Sequence, residues 1–293
     1  MNDYPETFPI RLGDLPSNLN EGVRAELRHF AVPLILNDDF LGSGVLVEVD
    51  NVPGVLTAEH VVNNSAAPFD NSLESKQALV TSVSERANTV AVEMRHLTWW
   101  TTTRQTDEWG PDLAFIRLPE SAGFTRQLRA SKSFYNLTLD PKNRMEEALD
   151  SSGFMAFVGY VAEQITDAPP ESGFPDVRRI QGYAFLTGPE KYHVQNGFDY
   201  VDVGCNRVLC PTMPKSFGGV SGGGLWRFDV LRDVHEKAGQ ERLGKSYLAG
   251  VVFLQIAIDT YTPTVRGHGA RSIYEVCLPA IKAWLKSSNS SAK

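Results

Sequence analysis

Three short segments carry residue types that can act together as a nucleophile, a base and an orienting acid. His60 lies near the end of the apolar run LTAEHVV, Asp112 opens the alternating run DLAFIRL, and Ser221 lies inside the glycine cluster SFGGVSGGGLW. A serine hydroxyl is a weak nucleophile until a base accepts its proton, and histidine titrates near neutral pH. A buried carboxylate holds such an imidazole in one tautomer and stabilises its protonated form. The three residue types therefore predict nucleophilic acyl transfer.

The glycine cluster around Ser221 also suits the charge that develops during acyl transfer. Glycine adopts positive φ angles that turn neighbouring N–H groups towards one side, and two such groups stabilise an oxyanion. The loop from Gly218 to Gly223 therefore predicts an oxyanion hole. The same glycines leave room for a substrate backbone to approach.

In this order the segments resemble the motifs of the chymotrypsin/trypsin-like serine peptidase family. LTAEHVV resembles the family's TAAH motif, PDLAFIRL its Asp-apolar-Ala-apolar-apolar-x-Leu segment, and GGVSGGGLW its Gly-Asp/Asn-Ser-Gly-Gly-Pro loop. His60 precedes Asp112 by 52 residues and Asp112 precedes Ser221 by 109, which is compatible with one barrel in each half of the chain. Further segments between residues 31 and 286 resemble the family's strands and terminal helix, among them FLGSGVLVE, FVGYV, LAGVVF and ARSIYEVCLPAIKAWL.

This resemblance implies an all-β fold of two antiparallel six-stranded β-barrels with short N-terminal and C-terminal helices. It also implies a trypsin-like serine endopeptidase, in which Ser221 attacks, His60 shuttles the proton and Asp112 orients His60. In this enzyme the backbone N–H groups of Gly219 and Ser221 would form the oxyanion hole. The expected domains are a lead-in with a short helix at 1–30, a first barrel with a linker at 31–150, a second barrel with the C-terminal helix at 151–286, and a disordered tail at 287–293.

The strand and helix patterns agree with this organisation. Helical spacing predicts a short helix at 20–30 and a C-terminal helix at 278–286, and a break in the strand rhythm at 136–152 predicts the linker. About a dozen short strands with few helices are typical of two β-barrels or a pair of sandwiches. We predict these strands at 32–36, 40–50, 53–62, 77–85, 88–97, 112–118, 154–163, 179–188, 198–204, 223–230, 246–258 and 272–277.

Several positions depart from the secreted members of the family. Glu59 replaces the usual alanine before His60, and a valine rather than a cysteine follows that histidine. Val220 stands where secreted members carry the aspartate that pairs with a processed N-terminus, and Phe253 stands where a serine often supports the aspartate. These features resemble bacterial and Deg/HtrA-like members, without a PDZ module after Leu285. We therefore expect activity that needs no N-terminal cleavage.

The resemblance also implies where a primary substrate pocket would lie. Its base corresponds to Lys215, six residues before Ser221, with Phe253 and Ser272 as neighbouring walls. A lysine buried there would favour an acidic substrate side chain, because the carboxylate offsets the cost of burying the charge. If Lys215 instead turns outwards after Pro214, the pocket would take small apolar side chains.

Composition narrows the choice of partners. The 293-residue chain has a formal net charge of −7 and no basic block of five or more residues, so we expect neither nucleic acid nor a membrane surface as a partner. The resemblance implies a protein or peptide substrate. The longest apolar stretch, Leu248 to Ile258, is too short to span a bilayer. We expect no metal and no cofactor, because no His/Cys/Asp/Glu cluster has ligand spacing.

Cysteine usage favours a reducing compartment. The three cysteines, Cys205, Cys210 and Cys277, form no CxxC motif, and no secretory signal precedes them. We therefore expect a cytoplasmic protein with buried thiols, although a bridge between Cys205 and Cys210 stays open.

Two other functions fit part of the pattern. An inert chymotrypsin-like fold would serve as a binding module, although all three residue types of the triad are present, and fluorophosphonate labelling separates the two functions. Gly219 to Gly223 also fits the G-x-S-x-G elbow of α/β-hydrolase esterases. That fold needs an aspartate and a histidine after the serine and alternating βα units. Only 72 residues, mostly strand-like, follow Ser221.

Overall fold

The computed structural model describes most of the chain, in segments separated by gaps. The described residues are 6–7, 17–36, 39–63, 77–81, 89–103, 110–120, 123–150, 152–167, 178–180, 182–205, 213–232, 241–257 and 263–290. The strands in the first half of these residues are β1 (Glu6–Thr7), β2 (Ala31–Leu36), β3 (Asp39–Val49), β4 (Val52–Thr57), β5 (Gln77–Thr81), β6 (Thr89–Glu93), β7 (Thr98–Thr101), β8 (Ala114–Arg117) and β9 (Tyr135–Asn136).

Strands also dominate the second half, and helices are few and short. The later strands are β10 (Phe154–Tyr160), β11 (Thr166–Asp167), β12 (Arg178–Arg179), β13 (Gly182–Gln195), β14 (Phe198–Gly204), β15 (Gly224–Arg232), β16 (Arg242–Ala257) and β17 (Thr264–Gly269). The α-helices are α1 (Ser17–Leu27), α2 (Glu59–Asn63), α3 (Phe124–Ser131), α4 (Pro141–Leu149) and α5 (Leu278–Ser290).

The first sheet places its strands in the order β6-β5-β2-β3-β4-β8-β7, and β9 adds a short parallel pair to β3. The β3–β4 hairpin turns at Asp50 and Asn51, whose φ angles are 49° and 67°. Asp and Asn tolerate this left-handed conformation better than other residues with a side chain, and it suits a tight hairpin. The hairpin lays β4 antiparallel beside β8. Because the last residue of β4 pairs with the first residue of β8, the segments that carry His60 and Asp112 lie at the same end of these two strands.

The second sheet has the order β1-β15-β10-β13-β14-β17-β16, and β15 also pairs with β16. This additional pairing joins six strands, from β10 round to β15, into a continuous ring. Every pair in the sheet is antiparallel. The loop that carries Ser221 enters this ring directly, because β15 begins at Gly224.

The predicted all-β fold class is confirmed, with two antiparallel sheets and a few short helices. The ring of the second sheet has the predicted six strands, and the first sheet differs. The path through the first sheet has seven strands besides β9, and its end strands β6 and β7 do not pair with each other within the described segments. Antiparallel pairing contradicts the α/β-hydrolase alternative, because that fold rests on parallel strands joined by helices.

One predicted strand is wrong. Residues Ser272–Cys277 form a π-helical turn that runs into α5, and the strand that completes the ring is β17. The Asp199 carboxylate accepts hydrogen bonds from the N–H groups of Arg271 and Ser272. A carboxylate at a helix N-terminus satisfies donors that the helix itself leaves unpaired. This long-range contact outweighs the strand-like composition of SIYEVC.

Helix α1 covers the second sheet, although it precedes the first sheet along the chain. Its side chains Leu19, Val23 and Leu27 are buried, and Glu26 accepts a hydrogen bond from Ser246 of β16. Strand β1 likewise pairs with β15. Within the expected lead-in of residues 1–30, β1 therefore belongs to the second sheet and α1 packs against it.

Helix α5 packs against the opposite half of the protein. The Trp284 ring meets Phe115 of β8 edge to face at a centroid distance of 6.2 Å, and Lys282 Nζ lies 3.0 Å from the Asp50 carboxylate. The helix ends at Ser290, so residues 287–290, which were expected in the disordered tail, are helical. Because each end of the chain packs on the sheet built from the other half, the two sheets are held together.

The contact of α1 with the second sheet leads to a stability prediction. Leu27 is fully buried, so Leu27→Ala is expected to lower the free energy of unfolding by about 2–5 kcal/mol. Arg24 lies on the exposed side of the same helix, and Arg24→Ala is expected to change that free energy by no more than about 0.5 kcal/mol. Chemical denaturation measures both. Similar small changes in the two variants would contradict the role assigned to α1.

Candidate active site

A single carboxylate, that of Asp112, forms two hydrogen bonds with His60. His60 lies in the short helix α2, which starts two residues after β4 ends. Its backbone N–H donates to Asp112 Oδ1 at 2.9 Å, and its ring Nδ1 lies 2.6 Å from Asp112 Oδ2. Backbone and ring are therefore both oriented by one side chain, which leaves Nε2 as the nitrogen available for proton exchange. The neighbouring Glu59 accepts a hydrogen bond from Asn63 of the same helix.

Asp112 lies just before β8 and is only 7% exposed. Burial raises its pKa, but the hydrogen bonds and charge attraction of His60 outweigh burial, so the pKa lies below its ordinary value. The carboxyl group is therefore ionised at neutral pH. Its own backbone N–H donates to Nε2 of His268 at 2.9 Å, which ties this first-sheet residue to β17 of the second sheet.

Ser221 comes from the second sheet and meets the first sheet at Gly42 and Ser43 of β3. The N–H of Ser43 donates to the Ser221 carbonyl at 2.8 Å. A methyl group on Gly42 would lie 2.9 Å from both that carbonyl oxygen and the Val61 side chain, so only glycine fits between them. The fold therefore brings the loop of Ser221 against β3 beside the helix that carries His60.

The backbone donors of the Ser221 loop fall into two groups. The N–H groups of Val220, Gly222 and Gly223 all donate to backbone carbonyls at 2.7–3.0 Å. The N–H groups of Gly219 and Ser221 have no acceptor among the described residues. These are the two donors that the sequence predicts for an oxyanion hole.

The direction of the Gly219 N–H is fixed by its surroundings. Gly219 has a φ of 92°, and a Cβ there would lie 2.2 Å from the Phe40 ring. The preceding Gly218 carbonyl accepts a hydrogen bond from the Ala162 N–H at 2.8 Å. Since a trans peptide points its C=O and N–H to opposite sides, the Gly219 N–H faces away from Ala162. Any residue other than glycine would disturb this arrangement.

Ser43 holds this loop in place and was not singled out by sequence analysis. It is fully buried, and its hydroxyl donates to the Gly219 carbonyl at 2.7 Å while accepting the Tyr160 N–H at 2.8 Å. Its carbonyl accepts the Thr57 hydroxyl at 2.7 Å. The serine of the GSG segment in FLGSGVLVE was the available signal, although a sequence pattern does not tell which loop such a hydroxyl contacts.

The Ser221 hydroxyl does not point to His60 in this conformation. It donates to the Phe253 carbonyl at 3.3 Å, and no hydrogen bond joins it to His60 in the described part of the chain. Catalytic hydrogen bonds are often long or misaligned in ligand-free proteins. To act as a nucleophile, the hydroxyl must turn from Phe253 towards His60 Nε2.

The residues expected to line a primary pocket are placed differently from one another. Lys215 is exposed, and its backbone N–H donates to the Glu163 carboxylate at 2.7 Å. This position agrees with a lysine that turns outwards, and the preference for small apolar side chains stays a prediction. Phe253 is buried, with its carbonyl at Ser221. Ser272 is fully buried and its hydroxyl bonds Asp199, so it has no surface with which to line a pocket.

Sequence analysis also missed the role of His268. Besides His60, the chain has the five histidines His29, His96, His193, His235 and His268. Of these five, His235 lies outside the described residues, and His268 alone bonds a triad residue. A lone histidine in VRGHGA carries no pattern that would reveal this contact.

Other kinds of site receive no support from the described residues. No group of three or more His, Cys, Asp or Glu side chains there is placed to hold a metal ion. No described helix is long and apolar enough to cross a membrane. Cys205 and Cys277 are buried, and burial raises the pKa of the Cys277 thiol, while Cys210 lies outside the described segments.

No protein-family model matches the sequence, and no curated protein sequence matches it. Solved structures show weak similarity to the chain. A chain from a structure of the coupled folding and binding of the intrinsically disordered Sesbania mosaic virus VPg protein is 14% identical, with a TM-score of 0.44 over 92% of this chain and 94% of that chain. Rv3671c from M. tuberculosis H37Rv, solved as a serine-to-alanine mutant in an inactive form, is 16% identical, with a TM-score of 0.47 over 94% and 97%. Because a fold does not determine the reaction at its site, the residues of this chain decide which reaction is possible.

Proposed function

We propose that the protein is a serine endopeptidase of the chymotrypsin-like type, which cleaves peptide bonds through an acyl-enzyme. The observation that carries this proposal is the pair of N–H groups at Gly219 and Ser221, which have no acceptor among the described residues and lie on either side of a buried valine in the loop of the nucleophile. Two N–H groups that lie beside a hydroxyl and are not used by the protein's described backbone can stabilise a developing oxyanion. The grip of Asp112 on His60 supplies a base of fixed orientation.

The proposed reaction follows from these positions. His60 Nε2 takes the proton of the Ser221 hydroxyl while the oxygen bonds the substrate carbonyl carbon, and the carbonyl electrons move to its oxygen. The N–H groups of Gly219 and Ser221 stabilise that oxyanion. When the C–N bond breaks, His60 returns the proton to the leaving amine. Water then attacks the carbonyl carbon of the acyl-enzyme while His60 takes its proton. His60 returns that proton to the Ser221 oxygen as the acid product leaves, and Asp112 stays ionised throughout.

A fluorophosphonate probe tests the proposal directly, because it reacts with a serine only where a base and an oxyanion hole activate the hydroxyl. We expect labelling of the native protein at Ser221, loss of labelling after denaturation, and cleavage of unfolded protein substrates. Absence of both labelling and cleavage would contradict the proposal.

One observation favours the alternative of an inert binding module. The Ser221 hydroxyl is held by the Phe253 carbonyl instead of by His60. If that bond persisted with substrate present, the serine would not be activated. Native protein that binds peptides but neither reacts with the probe nor cleaves them would establish this alternative.

Activation by N-terminal cleavage is not part of the proposal. Val220 is buried and carries no charge to pair with a new amino group. The beginning of the described chain is instead used structurally, since β1 pairs with β15 and α1 covers the second sheet. We therefore propose that the full chain is the active form.

Ser43 provides a test of the loop geometry. Ser43→Ala leaves the buried Gly219 carbonyl and Tyr160 N–H without their shared partner. We expect kcat/KM to fall by about 10–100-fold, because small displacements of catalytic groups cost rates of this size. The free energy of unfolding should also fall, by about 1–3 kcal/mol. Steady-state kinetics and denaturation measure the two effects. The exposed Ser133→Ala is the control, and equal activity in the two variants would contradict the positioning role of Ser43.

A further inference from the structure

His268 joins the two sheets at the candidate triad. It belongs to β17 of the second sheet, is fully buried, and accepts the backbone N–H of Asp112 from the first sheet on Nε2 at 2.9 Å. Asp112 in turn grips His60 with both carboxylate oxygens. The imidazole therefore acts on the backbone at which the side chain of the orienting acid begins.

Aromatic rings enclose the rest of the imidazole. Phe253 stacks on it at a centroid distance of 4.7 Å and an interplanar angle of 26°, and Tyr200 and Phe198 lie at 4.9 and 5.8 Å. The other ring nitrogen, Nδ1, is buried without a partner among the described residues. An unsatisfied buried polar group is destabilising, so a phenylalanine would pack here at a lower cost. What the imidazole offers in compensation is its hydrogen bond to Asp112.

The charge state and tautomer of His268 follow from this environment. A ring nitrogen that accepts a hydrogen bond cannot carry a proton, so the proton of the neutral ring lies on Nδ1. Burial lowers the pKa of His268 to about 3, despite the opposing attraction of Asp112. The ring therefore stays a neutral acceptor at any pH at which the triad would operate.

The same ring also touches the half of the site that carries the nucleophile. Phe253, which stacks on His268, follows Val252, whose carbonyl accepts the N–H of Gly222 in the loop of the nucleophile at 2.7 Å. The His268 side chain thus contacts the backbone of Asp112 on one side and, on the other, strand β16, which holds the loop of Ser221. A change in the position of His268 would move both groups relative to each other.

We propose that His268 is a positioning residue, which fixes Asp112, and through it His60, against the strand that holds Ser221. This inference rests on the proposed peptidase function, but the bonding that it describes is measurable without activity. His268 contacts neither the reacting hydroxyl nor a substrate, and its effect is transmitted through Asp112 and Phe253.

Two replacements separate the hydrogen bond from the packing. His268→Phe keeps a ring against Phe253 and removes the acceptor, whereas His268→Gln places an amide oxygen near the position of Nε2. His193→Phe is the matched control, because it removes another histidine–aspartate contact, 2.9 Å from Asp202, in the same sheet. All three are compared with the wild type in activity, thermal midpoint and proton NMR of the His60–Asp112 hydrogen bond.

We expect His268→Phe to lower kcat by about 10–100-fold with KM changed less than about three-fold, because positioning acts on the chemical step. The downfield proton resonance of the His60–Asp112 bond should broaden or disappear in this variant. His268→Gln should recover most of kcat and the resonance, and His193→Phe should retain both even where its thermal midpoint falls. Equal losses in the Phe and Gln variants, or the same loss in the control, would overturn the proposal.

A measurement on the wild-type protein covers the case in which His268→Phe does not fold. Nitrogen-15 NMR of labelled histidines should show His268 neutral, protonated on Nδ1 and accepting on Nε2, from about pH 5 to pH 9. A protonated Nε2 would overturn the proposal without any variant. Because the NMR experiments use inactive Ser221→Ala protein equally well, their outcome is independent of whether the peptidase function itself holds.

Discussion

Ser221→Ala is expected to lower kcat/KM for peptide cleavage by about 10⁴–10⁶-fold and to abolish fluorophosphonate labelling, with the fold unchanged. The replacement removes the only atom that would bond the substrate carbon, and triad residues act as a unit, so little catalysis remains without it. The structural cost is small, because the hydroxyl makes a single 3.3 Å hydrogen bond, to the Phe253 carbonyl. Steady-state kinetics on a peptide substrate and the thermal midpoint together measure the two effects.

Ser216→Ala is the matched control for this variant. Ser216 lies in the same loop, is exposed, and its hydroxyl accepts the Gly218 N–H at 3.1 Å. We expect at most a few-fold change in kcat/KM. Proteolysis at near wild-type rates by purified Ser221→Ala would contradict the assignment of the nucleophile, and a loss as large in Ser216→Ala would show that the loop conformation matters instead.

The sequence was sufficient to find the elements that carry the candidate site. His60 and Asp112 come together because the strands that precede and follow them, β4 and β8, are adjacent and antiparallel. Both strands are apolar runs with clear boundaries, which is the signal that a single sequence carries best. The loop of Ser221 was recognisable from its glycines. Two of them adopt positive φ angles in the structure, 92° at Gly219 and 87° at Gly222.

The supporting contacts could not be predicted in this way. Ser43 and Gly219 are separated by 176 residues, and His268 and Asp112 by 156 residues. Nothing in the neighbourhood of either residue specifies a partner so far along the chain. Such contacts depend on how the two sheets pack together, and a local pattern contains no information on that packing.

Ser272 shows how a local pattern misleads. SIYEVC has the β-branched and aromatic residues of a strand. The buried Asp199 carboxylate accepts both the N–H and the hydroxyl of Ser272, which starts a helical turn instead. That change displaces the closing strand to Thr264–Gly269, in which Gly267 and Gly269 give little strand signal. It is also the reason why Ser272 has no surface left for a substrate.

Asp112→Asn is expected to lower kcat/KM by about 10⁴-fold, because it reverses the tautomer of the base. In the wild type, His60 Nδ1 donates to the carboxylate, which leaves Nε2 as the acceptor for the Ser221 proton. The amide group of an asparagine would donate to Nδ1 instead, so the proton would move to Nε2 and the ring could no longer accept one from serine. The amide oxygen can still accept the His60 backbone N–H, so the helix keeps its position.

The pH dependence of the free energy of unfolding tests whether Asp112 acts through its negative charge. The folded pKa of Asp112 lies below its unfolded value, so its ionised form stabilises the protein above about pH 4, and this contribution is lost as the pH falls through the lowered pKa. The deficit in the free energy of unfolding of Asp112→Asn should therefore be present at neutral pH and shrink below about pH 4. Denaturation at pH 7 and pH 3 measures it. A deficit that is independent of pH, or activity retained within ten-fold of the wild type, would mean that Asp112 does not act as the charged partner of His60.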